Sequence, residues 1–132
     1  MRQLLRILIV ILAVGVTAGA SVAYAQDAAI LDAPFAFRVG SVVHQPGKYE
    51  LRPNGDQMGV TITPPKGAAT MALVVTRLAE PEPPLPDGKV VFDKVGELYF
   101  LSEVWIPGMD GFLLHSAKEK HSHVKVKLTK KG

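Results

Sequence analysis

Along most of this chain, apolar and polar residues alternate with the period of two that sets one face of a β-strand against a core. Phe35, Phe37 and Val39 alternate with Ala36 and Arg38 and stop at Gly40. Val42-Val43 form a short extended piece before Gln45-Pro46-Gly47, a turn in which Pro fixes φ and Gly supplies a positive one. Tyr49 and Leu51 then alternate with Lys48, Glu50 and Arg52. Pro53-Asn54-Gly55-Asp56 turns the chain, Asn-Gly being the strongest short hairpin signal. The returning strand sets Met58, Val60 and Ile62 against Gly59, Thr61 and Thr63.

After Pro64-Pro65-Lys66-Gly67 comes a strand over 69–77 with Met71, Leu73 and Val75 on one face and Ala72, Val74 and Thr76 on the other. Both faces are largely apolar, which predicts a strand that is covered on both sides or sits centrally. Residues 80–88 carry Pro81, Pro83, Pro84 and Pro86 and read as a stiff exposed loop. A strand begins at Val90-Val91-Phe92, and after a turn at Gly96 the longest strand runs over 98–106 to Pro107-Gly108. Ser116-x-x-Glu119 matches a capping box for one or two helical turns. Val124, Val126 and Leu128 alternate with Lys125, Lys127 and Thr129 in a last strand whose lysines suit an exposed sheet edge. About seven to eight short strands joined by short turns predict an all-β fold, a small antiparallel barrel or sandwich with at most one short helix near the C-terminus.

The start of the chain breaks this pattern. Arg2 and Arg6 precede an uncharged apolar stretch, and Ala23-Tyr24-Ala25 offers a small-x-small cleavage site. Residues 1–25 are therefore expected to be a signal peptide, and 26–132 a single β-rich domain that is exported, periplasmic or extracellular, with no membrane span once the signal is removed. A retained anchor is the alternative, favoured less because Gly15, Thr17, Gly19 and Ser21 dilute the apolar run. The chain has no cysteine, so disulfides, thiolate clusters and a cysteine nucleophile are excluded. Without Arg2 and Arg6 the charge is nearly balanced. Its basic excess gathers at Lys118, Lys120, Lys125, Lys127, Lys130 and Lys131, which reads as a solubilising face. Nucleic acid is not an expected partner, since no aromatic residues are interleaved with the basic ones.

Several segments in order resemble a group of small exported β-rich bacterial proteins with a PAG-x-Y turn and a YG-x-x-YFL-x-x-W strand. They are Phe35-x-Phe37-x-Val39-Gly40, Gln45-Pro46-Gly47-Lys48-Tyr49, Val90-x-Phe92-x-x-x-Gly96-x-x-Tyr99-Phe100-Leu101-Ser102-Glu103-x-Trp105 and Ser116-x-Lys118-Glu119. The chain departs from that pattern at Gln45-Pro46 and at Val95. The resemblance implies no activity.

The chemistry-bearing candidates are few. His121-x-His123 would project two imidazoles from one face of an extended strand, with a third metal ligand sought at His115, His44 or Glu119. Tail residues amid lysines are the commoner meaning of such a pair, so no metal or other cofactor is expected. No nucleophile elbow, HExxH or phosphate-cradling loop is present, and Asp93, Ser102 and Glu103 stand as scattered singles, so a non-enzyme is expected. Tyr99, Leu101 and Trp105, on one face of the longest strand, form the candidate contact face unless residues 112–122 fold over it. The function expected is a non-catalytic binding or interaction module for an envelope protein or glycan. The alternative is a small barrel carrying an apolar ligand in an interior lined by Phe35, Phe37, Val60, Ile62, Met71, Leu73 and Phe100.

Overall fold

A computed structural model describes residues 28–83 and 86–131; the expected signal peptide and its cleavage point lie outside them. The described residues form eleven strands and no helix. The strands are β1 (Ala29–Ala33), β2 (Phe37–Val39), β3 (Val42–His44), β4 (Gly47–Pro53), β5 (Gly59–Thr63), β6 (Thr70–Leu73), β7 (Thr76–Leu78), β8 (Lys89–Val95), β9 (Leu98–Trp105), β10 (Gly111–Leu113) and β11 (Ser122–Lys130). All belong to one sheet in the order β3-β2-β9-β8-β11-β1-β4-β5-β6, with β10 joined to β7 and β9. Every pairing is antiparallel except β2 with β9, which meet in parallel at Arg38 and Phe100.

The sheet curls back on itself through β6 and β7. These are two halves of one bent segment: β6 pairs with β5, and past Val74-Val75 the chain crosses to pair with β10. β10 in turn lies on β9 through Phe112 and Val104. The second edge of β9 is thus shared, β2 near Phe100 and β10 near Val104, and the barrel is nearly closed. Closure removes most unpaired backbone edge, which is why so short a set of strands holds together.

The interior is filled by side chains from every wall. Phe37, Phe92, Phe112, Leu31, Leu51, Ile62, Leu101, Val60, Val90 and Val104 are fully buried. Each contributes about 1.5–3 kcal/mol of apolar transfer free energy, offset by ordering entropy. Period-two alternation accounts for most of this set. In β1, Ala29, Leu31 and Ala33 face in while Ile30 and Asp32 face out. In β11, Leu128 is buried and Val124 and Val126 pack against the core, with Lys125 and Lys127 in solvent.

One residue breaks the alternation. Val91 pairs with Glu103 but Phe92 pairs with Leu101, leaving Ser102 unmatched as a β-bulge in β9. An extra residue reverses which face later side chains take, so Leu101, Val104 and Ile106 all turn inward and are buried. The bulge is held from outside. The Ser102 carbonyl accepts the Leu114 and His115 amides at 2.7 and 3.3 Å, and its hydroxyl donates to the His115 carbonyl at 2.6 Å.

Four expectations need correction. The described residues form eleven strands, more than the seven to eight expected. The 69–77 strand is neither central nor covered on both sides: it is bent into β6 and β7, and its Met71, Leu73 and Val75 face stands 55–70 % exposed. The terminal strand is not an edge, because β11 lies between β8 and β1. Its alternating lysines serve the barrel's wet outer face, a pattern that does not distinguish an outer face from an edge. The capping box at Ser116 starts no helix. Residues 114–121 run as an irregular strap across β9 and β8, and hydrogen bonds to Ser102 and Asp93 take backbone groups a helix would need.

Candidate functional site

The outer face of β8 should carry exposed side chains at Lys89, Val91 and Asp93, alternating with the inward Val90 and Phe92. Asp93 is nonetheless only 1 % exposed, because the strap lies over it. The Ala117 amide donates to its Oδ2 at 3.0 Å. Antiparallel register sets His123 of β11 directly opposite Asp93 on the same face, and its Nδ1 lies 3.1 Å from Oδ1. His121, just before β11, closes the group with Nε2 3.8 Å from the same oxygen. The two imidazoles meet edge to face with centroids 5.0 Å apart. One donor atom from each of the three residues lies within 4.8 Å of the others.

The hydrogen bonding of this cluster is incomplete. Asp93 Oδ1 is buried and makes no hydrogen bond among the described residues. His121 Nδ1 sits 2.8 Å from the Glu119 carbonyl, which can only accept, so Nδ1 carries the proton. Of the neighbouring lysines, Lys94 directs its ammonium over the Tyr99 ring, 5.6 Å from the centroid.

Of the third ligands sought in the sequence, His115 stacks on Phe100 at 5.0 Å and Glu119 offers its backbone carbonyl rather than its carboxylate. His44 is remote from the pair in the fold: it is 7 % exposed on β3, stacked on Phe37 and edge-on to Tyr49. Burial holds the pKa of its imidazole below the usual value, and Nε2 has no hydrogen-bond partner among the described residues. The third member is Asp93, which the sequence shows as a single carboxylate. Only the pairing of β8 with β11, distant in sequence, identifies it.

Tyr99, Leu101 and Trp105 do not share a face. Leu101 is 2 % exposed in the core, and Tyr99 leans on that core, stacked on Phe35 at 3.7 Å. Beyond the bulge Trp105 lies on the outer side. Its indole N–H donates to Glu103 Oε1 at 2.8 Å and Lys89 stands over the ring at 5.7 Å. Gly111 lies so close that a Cβ there would come within 2.7 Å of the indole. The strap crosses the sheet as the covering alternative required, but over Phe100, Ser102 and Asp93 rather than over Trp105.

A second outer feature comes from the bend in the 69–77 segment. Met58, Met71, Leu73 and Val75 are 66, 55, 67 and 70 % exposed. The Val74 amide donates to the Met58 carbonyl, and the β5–β6 register pairs Gly59 with Leu73 and Thr61 with Met71. Alternation then directs the amides of Thr70, Ala72 and Val74 towards β5, and those of Met71 and Leu73 away from it. β6 ends the strand order, so among the described residues that outward row is an unpaired edge.

Searches with protein-family models, against curated proteins and against solved structures find no match for this chain.

Proposed function

We propose that this domain is an exported, non-catalytic interaction module that takes an extended segment of a partner protein as an added strand on β6. One observation carries the reading. β6 combines unpaired main-chain groups with exposed apolar side chains at Met71 and Leu73, flanked by Met58 and Val75. Monomeric proteins blunt such edges with charge, proline or bulges. β6 itself, Thr70 to Leu73, carries no charged residue and no proline. Strand addition supplies main-chain hydrogen bonds for affinity, while alternate side chains of the incoming segment meet the apolar row. The filled interior favours this reading over the carrier. Of the seven side chains a ligand cavity would need, Phe37, Val60 and Ile62 pack the core, Phe35 packs against it, Met71 and Leu73 face solvent, and Phe100 lies on the outer face under His115.

Fluorescence anisotropy with a panel of short labelled peptides of alternating apolar and polar residues tests the reading. At least one should bind saturably, and Leu73→Lys should weaken it about tenfold or more with little change in melting temperature. A panel that fails throughout, or binding indifferent to Leu73→Lys, would contradict it. A dimer lost in Leu73→Lys would reassign the edge to a second copy of the chain.

A further inference from the structure

We infer that Asp93, His121 and His123 form a binding site for one divalent first-row transition ion of the zinc, nickel and copper class. The inference is independent of the β6 edge and begins from a conflict in the hydrogen bonding. His121 Nδ1 donates its hydrogen bond to the Glu119 carbonyl, so Nε2 is the ring atom whose lone pair is left to coordinate an ion. That lone pair faces a carboxylate oxygen 3.8 Å away, too far for a direct hydrogen bond. Two electron-rich atoms held face to face around a buried carboxylate call for a cation between them. Donors bound about 2.0–2.2 Å from one ion stand roughly 3–3.6 Å apart, close to the 3.1 and 3.8 Å separations of Oδ1 from the two imidazoles.

Asp93 supplies the second observation. Its side chain is 1 % exposed, and Oδ1 lacks any hydrogen-bond partner while pointing at both rings. The surrounding contacts are those of outer-shell support. The Ala117 amide orients the carboxylate through Oδ2, and the Glu119 carbonyl fixes the tautomer and tilt of His121. Two imidazoles and one carboxylate select an intermediate transition ion over magnesium or calcium, which prefer all-oxygen shells. The His123 side chain is 55 % exposed, so the ion is reachable from solvent and a fourth position stays open to water or an external donor.

Calorimetric titration of the metal-free purified protein with Zn2+ tests the site, with Mg2+ and Ca2+ as comparisons. One Zn2+ per chain is expected, with no saturable heat from Mg2+ or Ca2+. Asp93→Asn and His121→Gln should each lower affinity at least about tenfold, and His115→Gln should leave it unchanged. Should Asp93→Asn fail to fold, the exposed His123→Gln carries the same expectation. In imidazole nitrogen NMR, Zn2+ should shift Nε2 of His121 and Nδ1 of His123 and leave the His44 ring unmoved. Absent binding, several weak equivalents, or binding insensitive to His121→Gln and His123→Gln would overturn the assignment.

Discussion

At the residue scale, two groups hold conformations or environments that cost stability. His44 is buried in an aromatic cluster with Nε2 unpaired, and desolvation lowers its pKa below 6.5. The unfolded chain then binds more protons than the folded one in the interval beneath that value. Stability from this group is complete above about 6.5 and is lost as pH falls through the lower folded value. Melting temperatures of the protein and of His44→Phe, followed from pH 7.5 to 5, should not run parallel: the protein that keeps its histidine should decline more steeply as pH falls, so the difference between the two changes with pH. Parallel profiles would show that His44 does not titrate on unfolding.

Gln57 is the other such residue. The Asn54-Gly55 turn does reverse the chain, but as a longer loop: the Gln57 amide donates to the Asn54 carbonyl at 2.9 Å, and Gln57 takes φ 58°. The positive angle thus falls on a glutamine. Gln57→Gly should stabilise the protein by about 0.5–1 kcal/mol in chemical denaturation, since glycine enters this region without a Cβ clash. A loss of stability would contradict that account.

At the scale of elements, alternation made most strands legible, including inward Leu51, Val60, Ile62 and Leu128. It failed where one extra residue changed the parity. Nothing in Tyr99-Phe100-Leu101-Ser102-Glu103 announces that Ser102 bulges, because the bulge is fixed by backbone groups of the strap from His115 and Leu114. That slip placed Leu101 and Trp105 on one face in the sequence reading and on opposite faces in the protein. β1 carries only a weak apolar signal although Ala29, Leu31 and Ala33 alternate, because two of the three are small. Asp93 was invisible as a site because strand pairing, not spacing, puts it beside His123.

The Trp105 environment yields a prediction at this scale. The indole packs over Gly111, where a Cβ would come within 2.7 Å of the ring. Gly111→Ala must displace the ring or part β10 from β9, so it should destabilise by about 1–3 kcal/mol and red-shift the emission of the single tryptophan. Unchanged emission and stability would show that the indole does not rest there.

At the scale of the whole molecule, a filled barrel leaves the chemistry and the exposed apolar area on its outer surface. The Asp93 cluster lies outside the apolar core, between β8, β11 and the strap, so the account predicts a fold that stands without an ion. A chelator should therefore leave a cooperative melt, lowered only by the few degrees that ligand linkage allows. Loss of the folded state with chelator would make the ion structural.

The central claim, that β6 is an open apolar edge able to accept a strand, is tested most directly by residue-resolved amide hydrogen exchange with and without a peptide that binds. In the free protein the Met71 and Leu73 amides should exchange rapidly while those of β8, β11 and β1 stay protected. On adding the peptide, those same two amides should slow, and the protection of the central strands should not change. Met71 and Leu73 amides already protected in the free protein, or unaltered when the peptide saturates, would contradict the claim.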